Sequence, residues 1–326
     1  MKPWLSFLQI SFTVLMLPGC SPERRQTLMK KVVFAPKTTQ TSIDLSAAIE
    51  RQHVINVWIH GTRLFYAPVP LHNFLHSTPG LHRACDYDAK YHMHDIGKIL
   101  GKASPNLFPS ESFYIFGWSG KLDFGVREKA AKDLYEQLVA VQEEYEKKHG
   151  IKPMIRVITH SHGGNVMLNV ARLQGRKPDF YIDELILLAC PVQDKTASLI
   201  KTPLFKKIFA IYSHLDLFQI LDPQGLYRSD TKTSSLLSGR YFPEQENLEQ
   251  VTIKMNGRAI FHGEFVFPRF LTFLADIIGE MENWHKEVTE PKPFTKFIKM
   301  LHVRTNGKPF KFARSKKQKP DAAAVT

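Results

Sequence analysis

Residues 154–164 read Met154-Ile155-Arg156-Val157-Ile158-Thr159-His160-Ser161-His162-Gly163-Gly164. The short apolar, β-branched run Met154 to Ile158 predicts a buried strand. Gly163 and Gly164 break it, and a helix is expected from about Gly164 to Leu173. A strand that becomes a helix within so few residues must turn tightly. A serine at the apex of that turn is pushed out of the sheet. The unpaired N–H groups of the helix start then face any negative charge that develops beside it.

Working outward, the same alternation repeats on both sides. His53 to Ile59 predicts a buried strand ending at His60-Gly61-Thr62, and Ser112 to Phe116 another ending at Gly117-Trp118-Ser119-Gly120. Ala130, Leu134, Leu138 and Val141 recur at helical spacing, so a long amphipathic helix is expected from about Val126 to Lys148, stopped by His149-Gly150. Strands are predicted at Leu185–Ala189, at Ile208–Tyr212 and, as the last, at Val251–Met255. A closing helix is expected from about Arg269 to Glu282. Strands alternating with helices imply an α/β fold: a mostly parallel central sheet with helices on both faces. Two segments break the rhythm: 63–110, rich in His, Pro and aromatics, and the polar 222–249. Long insertions of this kind emerge at the carboxyl edge, where such sheets bind ligands. The first reads as a lid or pocket wall, the second equally as a surface excursion.

His160-Ser161-His162-Gly163-Gly164 resembles the nucleophile elbow, G-x-S-x-G, of the α/β-hydrolase superfamily of lipases and esterases. The resemblance covers roughly residues 50–285. It departs at Thr159, which stands where the pattern has glycine and crowds the turn with a branched Cβ. The resemblance implies Ser161 as nucleophile, followed in the chain by an acid and then a histidine. Asp216, just past the strand ending at Tyr212, is the first candidate for the acid, with Asp222 as the alternative. Asp222 precedes Pro223 and reads equally as a turn residue. His262, after the last predicted strand and before the closing helix, is the implied base; His285 and His302 lie beyond that helix. Backbone N–H groups of His162 and Thr62 would form the oxyanion hole, although His60-Gly61 also reads as a plain strand-ending turn.

Other constellations carry less. Ser119 sits in a loop and not in a strand-to-helix turn. His72, His76, His82, His92 and His94 crowd one insertion beside Asp86, Asp88 and Asp95, but their spacing matches no familiar metal site. No G-x-G-x-x-G occurs, so no dinucleotide is expected, and no cofactor or metal is assigned. Cys190 ends an apolar run and reads as a buried free thiol; pairing with Cys85 is the alternative.

The 326 residues are 43% hydrophobic and 23% charged, which excludes wholesale disorder. The chain opens with Met1-Lys2 and an apolar run to Leu17, then Pro18-Gly19-Cys20. This describes a secretory signal over residues 1–19, and Leu17-Pro18-Gly19-Cys20 resembles a bacterial lipobox with lipidation at Cys20. A plain signal peptide or an uncleaved anchor is the alternative. A linker follows (20–42), then the hydrolase-like domain (43–288) and a basic tail (289–326). The net charge of +13, to which residues 1–19 contribute only Lys2, favours anionic surfaces. The tail reads as solvated or as a membrane-surface patch, and no nucleic-acid partner is expected, because no recognised fold accompanies the charge. The expectation is a lipid-anchored serine esterase of a bacterial cell envelope acting on ester or acyl-lipid substrates. A non-catalytic binding lipoprotein on the same scaffold is the alternative, and a basic envelope protein that binds acidic polymers a further one.

Overall fold

Ten strands join in one sheet among the residues described by the computed structural model: 53–63, 78–87, 91–173, 180–216, 241–287, 299–303 and 311–313. They are β1 (Val54–Ile59), β2 (Gly80–Arg83), β3 (Phe113–Gly117), β4 (Met154–His160), β5 (Glu184–Leu188), β6 (Ile208–Tyr212), β7 (Leu248–Met255), β8 (Arg258–Ala259), β9 (Lys299–Val303) and β10 (Lys311–Ala313). Spatial order is β10-β9-β7-β6-β5-β4-β1-β3-β2, with β8 paired to β7. The central strands run parallel, and β2, β8 and β10 are antiparallel additions. The helices are α1 (His92–Ala103), α2 (Phe124–His149), α3 (His162–Val170), α4 (Pro268–Leu271) and α5 (Leu274–Glu287).

The central strands are apolar on both faces, as helix-covered parallel strands must be. Ile55, Val57, Tyr114, Phe116, Ile155, Val157, Leu185 and Leu187 pack beneath α2 and α3 in one core. Their alternating neighbours Trp58, Phe113, Ile115, Ile158, Ile186 and Leu188 join α1, α4 and α5 in a second. The predicted three-layer arrangement is the one observed. Helix α2 starts where Asp123 accepts the Val126 N–H at 2.9 Å and ends at Gly150, whose φ of 70° suits glycine.

Two expectations need correction, and the insertion 63–110 is more than a break in the rhythm: its described part supplies β2 and the core helix α1. Met93, Ile96 and Leu100 carry the helical spacing there, and all three are buried. Val251–Met255 is not the last strand, nor is 289–326 wholly an unpatterned tail. β9 lies parallel to β7, with Leu301 and Val303 fully buried, and β10 pairs with it. The alternation in Lys299-Met300-Leu301-His302-Val303 is hidden by the basic composition around it. Residues 1–42, with the signal and Cys20, lie outside the described residues, as do residues 222–240 of the second insertion. Among the described residues no helix is long and apolar enough to cross a membrane.

Strand order locates the crevice. From β1 the chain moves to β3 on one side, then returns through α2 to β4 on the other. Neighbouring strands whose connections leave in opposite directions open a cleft beyond their carboxyl ends. Those ends are His60 and Ser161.

Candidate active site

Ser161 occupies the turn between β4 and α3 with φ 54° and ψ −133°, a conformation that costs a non-glycine residue about 1–3 kcal/mol. The strain is held by bonds on both sides: Ser161 N–H donates to Leu188 O at 2.9 Å, and Gly164 N–H to Ser161 O at 3.0 Å. Two glycines permit the approach. A Cβ on Gly61 would lie 2.6 Å from the Ser161 Cβ, and one on Gly163 would lie 2.6 Å from the carbonyl oxygens of Ile59 and His60. The ends of β1 and β4 therefore meet backbone to backbone. Thr159, standing in place of glycine, is fully buried, and its hydroxyl donates to Ile186 O at 3.3 Å.

The turn after β1 is fixed by Trp118, in the loop after β3. His60 Nδ1 bonds Gly61 O at 2.8 Å, and its Nε2 accepts the Trp118 N–H at 3.1 Å. These partners require the Nδ1–H tautomer. The indole donates in return to His60 O at 2.8 Å, and the two rings stack at 5.7 Å. His60-Gly61 is thus a braced turn against the serine, and Thr62 follows it with its hydroxyl buried.

Asp216 and His262 come together although 46 residues separate them. His262 Nδ1 lies 2.9 and 2.8 Å from the two carboxylate oxygens. Asp216 is fully buried in the turn after β6, where its N–H donates to Ser213 O at 3.1 Å. Ser213 Oγ accepts the Ile260 N–H, tying that turn to the segment before His262. His262 opens a short 3-10 helix, His262–Val266, whose entry is held by Glu264 accepting the Phe261 N–H and pairing with Arg258. Burial alone would raise the Glu264 carboxyl; the bonds from Arg258 and Phe261 outweigh it and hold it below its ordinary value.

Of the two histidines flanking Ser161, His160 meets His262 directly. His160 Nε2 donates to the His262 carbonyl at 3.0 Å, and their rings lie 4.7 Å apart. Burial, then the charge His262 would carry, lower His160 to about 3. His162 is buried at the start of α3 and also lowered, by burial first, then by Arg127 and His262. Arg127, fully buried on α2, bonds Gln193 at 3.2 Å and stacks on Phe124. Behind the helix start, Asn165 accepts from Thr196 and donates to Pro191 O at 3.0 Å. Arg127, Gln193 and Thr196 gave no signal in sequence, because their role depends on contacts between distant segments.

Of the expected residues, Ser161, His162 and Gly61-Thr62 meet at the β1–β4 cleft, and Asp216 bonds His262. Asp222 lies outside the described residues. Ser119 is in a loop, as expected. Of the described histidines of the first insertion, His82 bonds Pro79 O at 2.7 Å and His92 bonds Val266 O at 3.2 Å. Among the described residues no group of three or more His, Cys, Asp or Glu is placed to hold a metal ion. Cys190 is a buried free thiol and Cys85 an exposed one, so the two are not paired.

No family model matches the chain, and no curated protein does. Solved structures with a similar fold include an alpha-beta serine hydrolase homologue from Coxiella burnetii (16% identity, TM-score 0.34, covering 72% of this chain and 85% of that one). A structure from work on the metagenome-derived lipolytic enzymes LipS and LipT shares 8% identity at a TM-score of 0.37, over 72% of this chain and 94% of that one. An esterase from Pyrobaculum calidifontis shares 14% at 0.31, over 78% and 67%. Likeness at these scores carries no weight for the chemistry of this chain. Its own layers, strand order and strained strand-to-helix turn at Ser161 are those of an α/β-hydrolase fold.

Proposed function

We propose that this protein is a serine ester hydrolase that works through an acyl-enzyme on Ser161. The observation that carries the reading is the bond between His262 and the buried Asp216, with the His262 carbonyl held by His160, the residue before Ser161, which sits at positive φ. A serine hydroxyl needs a base, and a base needs an orienting partner. In this reading His262 takes the proton as Ser161 Oγ attacks the ester carbonyl carbon, then returns it to the leaving alkoxide. The acyl group stays on Ser161 until water, deprotonated by the same imidazole, releases the acid. Asp216 holds the His262 Nδ1–H tautomer and stabilises the imidazolium. The N–H groups of His162 and Thr62 receive the oxyanion, each contributing about 3–4 kcal/mol in the transition state.

An acyl-lipid substrate is supported by the side chains next to the acid and base. Leu215 and Phe261, the chain neighbours of Asp216 and His262, are 43% and 41% exposed, which suits a wall for an acyl chain. Lipidation at Cys20 would hold the enzyme beside such substrates in a bacterial envelope, each buried CH₂ contributing about 0.8 kcal/mol. Cys20→Ser should release the protein from membranes; unchanged fractionation defeats the anchor. For the enzyme, a fluorophosphonate probe should label the wild type and not Ser161→Ala, and the variant should lose at least about 10⁴-fold in kcat on an acyl-ester panel. Folded wild-type protein that neither labels nor turns over defeats the esterase.

A further inference from the structure

His160 precedes the nucleophile, and the chemistry proposed for Ser161, His262 and Asp216 gives it no task. Its side chain is nevertheless committed. A carbonyl oxygen only accepts, so the 3.0 Å bond from His160 Nε2 to His262 O requires the proton on Nε2. The ring lies 4.7 Å from that of His262, with 47° between the planes. On its other side, Nδ1 lies 3.3 Å from where a Gly61 Cβ would project. One ring therefore fills the space between the end of β1 and the 3-10 helix that presents His262.

We infer that His160 is a positioning residue: it anchors the backbone of His262 while Asp216 anchors the ring. The inference rests on the reading of His262 as general base. The two anchors act at different points. Asp216 takes Nδ1 and sets rotation of the imidazole, while the backbone that carries the ring is held elsewhere. His160 holds it by tying the carbonyl of residue 262 to the residue beside the nucleophile. Any shift of β4 is then shared by Ser161 and His262 together. The neutral state suits the task, because an imidazolium at position 160 would repel the one forming on His262; burial keeps that proton off. Histidine meets all three demands, being flat enough to stack, long enough to reach the carbonyl and able to donate without charge. Misplacement of a catalytic group by about 1 Å can cost about 100-fold in rate.

Two variants separate the bond from the ring. His160→Phe keeps a stacking ring without a donor, and His160→Gln places an amide N–H near the Nε2 position. Expected for H160F is a fall in kcat of about 10- to 100-fold with KM within about twofold, and for H160Q recovery to within about threefold of wild type. A second readout needs no turnover. The Nδ1 proton that His262 donates to Asp216 is assigned in proton NMR by its loss in His262→Gln. Its exchange with water should accelerate about tenfold or more in H160F and return towards the wild-type rate in H160Q. Should H160F fail to fold, His160→Asn, whose shorter amide cannot reach the carbonyl, replaces it. Kinetics and exchange within twofold of wild type in the donor-less variant overturn the inference, as does an H160Q variant no better than H160F. If the protein proves inert towards esters, the exchange result alone decides whether His160 positions His262.

Discussion

Towards the amino edge of the sheet Arg156 meets Glu184; at the carboxyl edge His262 meets Asp216. Both are acid–base pairs taken out of water, and they are finished differently. Arg156 Nε donates to Glu184 Oε2 at 2.5 Å, its Nη1 donates to Asn56 Oδ1 at 3.2 Å and Leu107 O at 3.0 Å, and Phe108 lies against the guanidinium. Lys207 reaches the other Glu184 oxygen at 3.6 Å. Burial pushes the Glu184 carboxyl up, and Arg156 first, then Glu282 and Lys207, bring it below its ordinary value. The guanidinium there keeps its charge, the carboxylate is held charged by its partners, and bonds fix the pair to three neighbouring strands. At the other edge the partner of the acid is an imidazole, and Asp216 bonds its Nδ1. A saturated pair holds strands together; a pair that can change protonation is available for chemistry. Under the proposed function, the same sheet separates stability from reactivity along its length.

The largest effect should come from breaking the carboxyl-edge pair. Asp216→Asn keeps the shape but offers His262 an amide in place of a carboxylate, so the imidazole loses its tautomer and its counter-charge. Ester turnover should fall about 10⁴-fold, equivalent to about 5.5 kcal/mol of transition-state stabilisation, with the unfolding midpoint little changed. A loss under about tenfold would remove Asp216 from the reaction and reopen Asp222.

The amino-edge pair should respond the other way. Arg156→Met leaves Glu184 buried without its counter-ion and should cost about 3–5 kcal/mol in denaturant unfolding, while kcat of the remaining folded protein stays within about twofold. Adding Glu184→Leu should recover most of the loss. The sign with pH follows from the lowered carboxyl. The contribution of the pair is complete above the ordinary value near 4.5 and disappears as pH falls through the lower folded value, so wild type and Arg156→Met should converge in acid. A gap that widened in acid would contradict the ion-pair account.

His160 links the two behaviours, being a structural histidine placed at the reactive end. Its folded value of about 3 lies below the 6.5 of a free imidazole, so the unfolded chain binds the extra proton. Stability should therefore be full above about pH 6.5 and fall as pH drops towards 3, by on the order of 2 kcal/mol once the partial exposure of the ring is allowed for. Unfolding of wild type and H160Q at about pH 7 and about pH 4 checks it. An equal acid loss in both proteins would show that position 160 is not the proton site.

What could be read beforehand follows the same division. Strands β1, β3, β4, β5, β6 and β7 and helix α2 are local patterns, a short apolar run or a 3.6-residue period, and they lie where periodicity puts them. Ser161 was legible because a strand-to-helix turn needs small residues nearby, and Gly61 and Gly163 are small for the reason that a Cβ there would strike Ser161 or the end of β1. Arg156–Glu184, Arg127–Gln193 and His160–His262 join positions 28, 66 and 102 apart, and no local rule encodes such a partner. Helix α1 is hidden differently: its histidines mask the Met93, Ile96 and Leu100 spacing that packs it onto the second core.

The smallest effect belongs to a second ion pair, close to the first. Lys206 Nζ lies 2.7 Å from Asp183 Oδ1, a shorter contact than Lys207 makes with Glu184. Length is a poor guide here, because the Lys206 side chain is 56% exposed and water competes for its charge. Lys206→Met should change stability by no more than about 0–1 kcal/mol, less still in high salt. Asp183 is different, since its second oxygen accepts the Ile155 N–H at 2.8 Å at the start of β4. Asp183→Ala leaves that N–H without its partner and should cost about 1–3 kcal/mol at any salt concentration. If Lys206→Met cost as much as Asp183→Ala, exposure would not be what separates weak pairs from strong ones in this sheet, and the contrast between its two edges would need another cause.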